Sequence, residues 1–350
     1  MPLVAHIPLA TFETLRSSGQ EILTLQQALH QDIRELHVGL LNMMPDAALE
    51  TTERQFLRLL GSCNPIAQIY VHPFSLPGLE RSAETLDYIR QNYETFESVR
   101  EQGLDALIIT GANVSNPHLH QEEFWKPLQE VIHWASTEVT SVLCSCLATH
   151  ALVKSLYGIE RNPLPQKRWG VYKHRSAKNS HPLLRDINTL FDVPHSRHNE
   201  VSRAQFEAAG LSVLIESLDG DVHLAVSPDG LRFVFMQGHP EYEFNSLLKE
   251  YKREVLRFQN GTRPDYPPVP ENYFCAQALR LCEERRHPFP SEELESQTHN
   301  TWGDTGKSVF NNWLGLIYRL TSVERKVCFV DGVDPAQPLR FLNCQATKGT

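Results

Sequence analysis

Between residues 36 and 158 the chain alternates short apolar runs with longer runs whose apolar residues recur at helical spacing. The short runs predict buried strands, which cover residues 37–44, 66–74, 106–111 and 139–145. The longer, amphipathic runs predict helices over residues 50–61, 82–103, 122–136 and 146–157. Apolar strands that alternate with helices are typical of a parallel sheet covered by helices on both faces. The pattern therefore predicts an α/β fold.

After residue 160 the pattern changes to shorter β-rich runs without long helices between them. These runs cover residues 169–175, 211–217, 222–227 and 231–238, and Ser-Pro-Asp-Gly at 227–230 supplies turn chemistry. We therefore expect an added antiparallel hairpin region beside the parallel sheet. Helical spacing returns at 244–258 and 308–321. We divide the chain into an N-terminal extension (1–35), one main domain (36–323) and a C-terminal tail (324–350).

Composition narrows the class of protein. Of 350 residues, 41% are hydrophobic and 21% are charged, which is ordinary for a soluble globular protein. The chain has no leader-like start and no apolar run near the ~18 residues of a membrane span, so we expect no membrane partner. A net charge of −9 argues against nucleic-acid binding. Seven scattered cysteines suit reduced thiols, which favours a cytoplasmic location.

Two cysteines lie where the strand at 139–145 meets the following helix. Cys146 falls at the junction, where the helix N-terminus favours a thiolate and the backbone N–H of Leu147 can stabilise an oxyanion. Cys144 lies inside the strand and is more simply a small buried side chain. Two other interpretations stay open here, namely that both cysteines are packing residues or that they bind zinc. Cys-x-Cys is an unusual zinc spacing, so we expect no metal.

A cysteine nucleophile needs a base, and one histidine stands in a suitable setting. A strongly apolar run ends at Gly238, and His239 and Glu241 follow on either side of a proline. Residues two apart in an extended segment project to the same side, so Glu241 can accept a hydrogen bond from the His239 ring. The alternative is an ordinary polar turn after a core strand.

A strand–Cys–helix junction followed by strand–Gly-His-Pro-Glu resembles the class I glutamine amidotransferase-like, or flavodoxin-like, fold. Glutaminases of this fold usually have glycine on both sides of the nucleophile, whereas this chain has Ser145 and Leu147 beside the cysteine and Ala148 after them. A closer resemblance, over residues 18–321, is to the homoserine O-succinyltransferase family of homoserine O-acyltransferases. The motifs that carry it include LLNMMP (40–45), ETTERQFLRLL (50–60), GVYKH (170–174), PHSR (194–197), GHPEY (238–242) and VPENYF (269–274).

This resemblance implies transfer of an acyl group from acyl-CoA to the hydroxyl of L-homoserine, the first committed step of methionine biosynthesis. It places the acyl-thioester on Cys146, the proton acceptor on His239 and its partner on Glu241. It places substrate contacts on three further residues, which without the resemblance we would interpret as surface or turn residues: Lys167, Ser196 and Arg253. No cofactor is expected, because acyl-CoA is a substrate.

The resemblance also implies that the choice of acyl donor depends on Ser115, at a position where the family typically has glycine for succinyl-CoA and glutamate for acetyl-CoA. Serine is small and can donate a hydrogen bond, so we expect its side chain to border the acyl pocket and to favour succinyl-CoA. Acetyl-CoA as donor, serine as acceptor and a homodimer remain open. Two alternatives of another kind also remain, a glutaminase or peptidase on the same fold and a non-catalytic binding module.

Overall fold

The computed structural model describes residues 2–178, 180–284 and 289–346. The strands are β1 (Leu3–Ala5), β2 (Ile22–Thr24), β3 (Glu35–Leu41), β4 (Gln68–Phe74), β5 (Ala106–Ile109), β6 (Ser141–Ser145), β7 (Asn162–Ser176), β8 (Leu190–Glu200), β9 (Ser212–Ser217), β10 (Val222–Val226) and β11 (Phe233–Met236).

The helices are α1 (Ala10–Ser17), α2 (Leu25–Leu29), α3 (Leu49–Gly61), α4 (Ala83–Asn92), α5 (Phe96–Gln102), α6 (Trp125–Glu138), α7 (Leu147–Tyr157), α8 (Arg203–Ala208), α9 (Ser246–Gln259), α10 (Ala276–Glu284), α11 (Ser291–Glu295), α12 (Gly303–Leu320) and α13 (Pro338–Ala346). No described helix is both long enough and apolar enough to cross a bilayer.

The strands form one sheet in the order β2-β1-β4-β3-β5-β6-β11-β10-β9-β7-β8. Pairing is parallel from β2 through to β11 and antiparallel from β11 to β8. The predicted α/β fold, with a parallel sheet and an antiparallel hairpin region, is thus confirmed. The fully apolar strands are buried because helices cover both faces of the parallel part.

Successive side chains of each strand enter different core clusters because they point to opposite faces of the sheet. In β6, Leu143 packs in the cluster that contains α3 and α12, while Val142 and Cys144 pack in the cluster that contains α6 and α7. The carboxyl ends of β6 and β11 lie side by side, with Ser145 opposite Met236. This edge is where the candidate chemistry gathers.

The prediction of one continuous helix over residues 82–103 is wrong, because the chain forms α4 and α5 with a break between them. Tyr93 is buried in an extended conformation, and Glu94 pairs with Phe74 at the end of β4. Thr95 then begins a new helix by accepting a hydrogen bond from the Ser98 backbone. Burial of Tyr93 against the sheet therefore overrides the local helical pattern.

The hydrophobic pattern did not predict β1, β2, β8 or α13. The two N-terminal strands extend the parallel sheet, so the sheet continues across the proposed division at residue 35. In the C-terminal tail, Phe329, Leu339 and Phe341 pack partly buried against the core. The division into extension, domain and tail stays a prediction.

Candidate active site

Cys146 occupies a sharp turn between β6 and α7. Its backbone has φ 52° and ψ −109°, a conformation that side chains other than glycine rarely adopt. Cys146 is partly exposed, whereas Cys144 is fully buried. The turn therefore presents the Cys146 thiol outside the core at the start of a helix, as the sequence analysis expected.

Hydrogen bonds to strand β11 stabilise this turn. The Cys146 N–H donates to the Met236 carbonyl at 2.8 Å. The Thr149 hydroxyl, one turn into α7, lies 2.8 Å from the same carbonyl and 3.0 Å from the Cys144 carbonyl. These bonds join the end of β6, the end of β11 and the start of α7, so the turn is positioned by the sheet itself.

His239 and Glu241 follow β11 and lie close to Cys146. His239 Nδ1 is 2.8 Å from Glu241 Oε1, and both residues are buried. The backbone N–H of His239 donates to the Pro194 carbonyl at 2.8 Å. The His239 ring stacks on the Tyr242 ring, with 4.4 Å between the ring centroids. Since the carboxylate accepts from Nδ1, the other nitrogen, Nε2, is left for the cysteine. Nε2 is buried and has no hydrogen-bond partner of its own.

Charge around His239 favours its protonated form. Burial opposes protonation, but the charges of Glu241 and Cys146 outweigh burial and hold the pKa of His239 well above its ordinary value. Burial alone raises the pKa of the Cys144 thiol well above its ordinary value. The arrangement therefore suits a nucleophile at Cys146 beside a base at His239, with Cys144 as a packing residue.

Lys167 and Ser196, from β7 and β8, meet at a carboxylate that the sequence analysis did not select. Glu250 Oε2, in α9, accepts from Ser196 Oγ at 2.6 Å and lies 3.3 Å from Lys167 Nζ. Glu250 Oε1 accepts from Tyr242 Oη at 2.6 Å. Because Tyr242 also stacks on His239, this polar cluster is joined directly to the catalytic candidates. Burial tends to raise the Glu250 pKa, but Lys167, Ser196 and Tyr242 outweigh it and lower that pKa.

Two predicted residues lie on exposed segments. The Arg253 side chain is 54% exposed on α9 and lies 3.7 Å from Glu254. Ser115 is exposed in the loop after β5, where its backbone N–H donates to Glu122 at 2.9 Å. The start of the same loop reaches the cysteine, since a methyl group at Gly111 would lie 3.9 Å from Cys146 Cβ and from the Leu147 nitrogen.

Glu250 and Tyr242 are the site residues that sequence reasoning missed. Glu250 precedes Arg253 by one helical turn, so the two side chains project from one side of α9. Tyr242 follows Glu241 directly in the GHPEY motif. The helical spacing was readable in the sequence, but the approach of α9 to β7 and β8 was not.

Comparison with known proteins shows which family and which solved structures this chain is similar to. Residues 2–323 match the family model described as homoserine O-succinyltransferase. A homoserine O-succinyltransferase of Methylobacter tundripaludum is 57% identical, covering 97% of this chain and 99% of that protein. Another, of Methylococcus capsulatus, is 56% identical with the same coverage. Among solved structures, a glutamine amidotransferase of Thermotoga maritima is similar with a TM-score of 0.44 at 13% identity, covering 82% of this chain and 99% of that one.

Proposed function

The chain belongs to the homoserine O-succinyltransferase family, and we propose that it transfers a succinyl group from succinyl-CoA to the hydroxyl of L-homoserine through a thioester on Cys146. The observation that carries the mechanism is the arrangement of Cys146 beside His239, whose Nδ1 lies 2.8 Å from buried Glu241. Such a group supplies a nucleophile, a base and a residue that orients the base.

In the first half-reaction the Cys146 thiolate attacks the thioester carbonyl of succinyl-CoA. The negative charge that develops on the carbonyl oxygen is stabilised by backbone donors such as the Leu147 N–H at the start of α7. The carbon–sulfur bond to CoA then breaks, and the His239 imidazolium gives its proton to the departing CoA thiolate. The products are free CoA, a succinyl-Cys146 thioester and neutral His239.

In the second half-reaction neutral His239 accepts the proton of the homoserine hydroxyl through Nε2. The homoserine oxygen attacks the thioester, and the bond to the Cys146 sulfur breaks to release O-succinylhomoserine. The cysteine leaves as a thiolate beside the new imidazolium, so the starting pair is restored. Glu241 stabilises the imidazolium and holds the tautomer in which Nε2 can accept a proton.

Homoserine carries an ammonium group and a carboxylate, and the polar cluster beside His239 offers partners for both. We assign the ammonium group to Glu250, whose carboxylate is already surrounded by the donors Ser196, Lys167 and Tyr242. The carboxylate is assigned to Arg253 and Lys167, since a guanidinium can pair with a carboxylate through two hydrogen bonds. Ser196 then orients the bound amino acid.

The acyl donor is assigned by family membership and by the small side chain of Ser115. A succinyl group brings a second carboxylate, which is costly to desolvate unless a donor meets it. Serine leaves space for that carboxylate and offers a hydroxyl donor, whereas glutamate would repel it. We place the enzyme in the cytoplasm, where succinyl-CoA is available to it.

Product analysis by mass spectrometry tests the proposed reaction. Purified protein is incubated with succinyl-CoA or acetyl-CoA and with homoserine or serine as acceptor, and a parallel sample receives glutamine alone. We expect O-succinylhomoserine as the main product and parallel lines in an initial-rate analysis, as a ping-pong mechanism requires. Glutamate release would favour a glutaminase, and intersecting lines would favour direct transfer in a ternary complex.

A further inference from the structure

A second cluster of chemically active side chains lies at the other end of the parallel sheet. His6 follows β1, His72 lies in β4, and Glu94 lies between α4 and α5. The potential ligand atoms of these three residues lie within 4.8 Å of one another. Strands β3 and β5 separate β4 from β6 and its cysteine in the sheet. The proposed acyl transfer makes no use of this cluster.

The hydrogen bonds of His6 determine which of its nitrogens is available. His6 Nδ1 lies 3.0 Å from the Val4 carbonyl, which can only accept, so Nδ1 carries the proton. Neutral His6 therefore has its lone pair on Nε2. That nitrogen is buried and has no hydrogen-bond partner. A buried lone pair without a donor is uncommon and suits a metal ligand.

A chain of hydrogen bonds likewise determines which ring nitrogen of His72 donates and which one faces Glu94. His37 Nε2 lies 3.3 Å from the Glu35 carboxylate and donates to it, which leaves His37 Nδ1 as an acceptor. His72 Nε2 lies 2.9 Å from that acceptor and therefore donates. The remaining nitrogen, His72 Nδ1, lies 2.6 Å from Glu94 Oε1. A nitrogen and a carboxylate oxygen at that distance have a cation between them, either a proton on Nδ1 or a metal ion that takes the place of that proton.

The surroundings of the carboxylate and the local charge also suit a cation. Glu94 Oε2 accepts from Gln102 Nε2 at 2.6 Å, which leaves Oε1 for the cluster. Three carboxylates, those of Glu35, Glu94 and Asp105, lie near two guanidinium groups, since Arg325 interacts with all three and Arg34 interacts with Asp105. The local excess of negative charge favours a divalent cation over a monovalent one.

We propose that His6, His72 and Glu94 bind a zinc-class divalent metal ion, with His6 Nε2, His72 Nδ1 and Glu94 Oε1 as ligands. Two histidines and a carboxylate are a common zinc ligand set that leaves a fourth position for water. Ligand atoms around tetrahedral zinc lie about 3.3 Å apart, so modest side-chain rotations complete the site. His37 supports the site by accepting the second N–H of His72, as the neighbours of metal-bound histidines commonly do.

The ion would join three segments that are distant in sequence. His6 directly follows the short strand β1, His72 belongs to the buried strand β4, and Glu94 belongs to the break between α4 and α5. A metal ion there anchors the N-terminal strand to the sheet. We therefore assign the ion a structural role.

Metal binding to the chelator-treated protein tests the proposal. Zinc affinity and stoichiometry are measured by competition with a chromophoric chelator, and Co²⁺ is used as a spectroscopic probe. We expect one ion per chain and a visible Co²⁺ spectrum without the near-ultraviolet band of a thiolate ligand. Zinc at 100 times its Kd should raise Tm by about 4 °C. A thiolate band would instead place the ion on a cysteine and overturn the proposal.

Substitutions distinguish zinc binding at this cluster from zinc binding elsewhere on the protein. His6→Gln and Glu94→Gln should each weaken zinc binding by about 100-fold or more, and His37→Gln by about 10- to 100-fold. His133→Gln, which alters an exposed histidine on α6, should bind zinc like the unaltered protein. Circular dichroism checks that each variant is folded. The proposal is overturned if the first two variants bind zinc as tightly as the His133 variant, or if the unaltered protein binds none at micromolar zinc.

Discussion

At the scale of single residues, the backbone of Cys146 is the most unusual feature of the site. A positive φ at a residue other than glycine costs about 1–3 kcal/mol and persists only where its surroundings enforce it. Here the enforcing contacts are the bonds from Cys146 and Thr149 to the ends of β6 and β11. The strain directs the thiol away from the core and toward His239.

Substitution of the two neighbouring cysteines distinguishes the nucleophile from the packing residue. Cys146→Ala should lower kcat by about 10⁴-fold or more, because no other group can carry the acyl chain. Cys144→Ala removes a buried sulfur and should retain most activity. Intact-mass and peptide analysis after addition of succinyl-CoA without acceptor should locate one adduct at Cys146. An adduct at Cys144 would contradict the assignment.

The His239 pKa should depend strongly on Glu241. In Glu241→Gln the carboxylate charge is lost and burial is less opposed, so the pKa of His239 should fall. NMR titration of the labelled histidine ring measures this directly, and kcat should fall by about 100-fold or more because the base is less well oriented. An unchanged pKa would mean that Glu241 does not act on the ring.

The same shift predicts how stability depends on pH. Because the folded-state pKa of His239 is raised, its protonation stabilises the fold fully below the ordinary value of 6.5. This contribution is lost as pH rises through the folded-state pKa. Urea unfolding should therefore show a difference in the free energy of unfolding between the unaltered protein and Glu241→Gln that is largest below pH 6.5 and narrows as pH rises through the raised folded-state pKa of His239. A constant difference would point to packing instead of charge.

Substitution of Ser115 tests whether this residue determines the preference for succinyl-CoA over acetyl-CoA. Ser115→Glu should lower kcat/KM for succinyl-CoA by about tenfold or more, through like-charge repulsion and loss of a hydrogen bond to a charged group. The value for acetyl-CoA should fall less or rise. Gln129→Glu adds the same charge at an exposed position of α6 and serves as the control. If the unaltered enzyme already prefers acetyl-CoA, the role assigned to Ser115 is wrong.

At the scale of elements, the catalytic candidates lie on the β6–α7 turn and on the segment after β11, and the polar cluster beside them lies on α9, β7 and β8. The first two are held together because β6 and β11 are parallel neighbours whose carboxyl ends coincide. Helix α9 contributes Glu250, which reaches Lys167 of β7 and Ser196 of β8. The antiparallel region thus brings substrate-binding candidates to the catalytic edge of the parallel sheet.

Thr149 provides a test of the connection between β6, β11 and α7. Thr149→Val keeps the shape of the side chain but leaves the buried Cys144 carbonyl without that donor, so the free energy of unfolding should fall by about 1–3 kcal/mol. Urea denaturation measures it. Thr137→Val removes an exposed hydroxyl from the end of α6 and should change stability far less. Equal effects of the two substitutions would argue against the role of Thr149.

At the scale of the whole molecule, both terminal segments pack on the central sheet. The N-terminal segment buries Leu3, Phe12 and Leu15, and the C-terminal segment covers part of the same core cluster with Phe329 and Phe341. Arg325 adds a hydrogen bond to the Gly103 carbonyl at 2.8 Å. These contacts give the tail a structural contribution that its weak hydrophobic periodicity did not indicate.

Removal of residues 324–350 should therefore lower Tm by roughly 5 °C, because several partly buried apolar side chains lose their packing. Differential scanning calorimetry measures the change. The Km for homoserine should stay within about twofold, since α9 and its carboxylate are retained. An unchanged Tm would show that the tail is loosely attached in solution.

The sequence by itself determined the parallel α/β core and was enough to select three candidate catalytic residues. Wholly apolar strands that alternate with amphipathic helices leave few other folds, because such strands must be buried on both faces. A cysteine at a strand–helix junction and a histidine two residues before a glutamate are local patterns, so Cys146, His239 and Glu241 could be selected without coordinates. Their proximity follows from the adjacency of β6 and β11.

Only the tertiary structure decided the features that depend on contacts between distant segments. The break at Tyr93 arises because burial of its side chain against the sheet outweighs helix propensity. Glu250 becomes part of the site because α9 packs across β7 and β8, and no local pattern encodes that approach. His6, His72 and Glu94 likewise lie far apart in the chain and meet only through strand pairing and a helix break. Sequence periodicity reports which side of an element is buried, but not which distant element covers it.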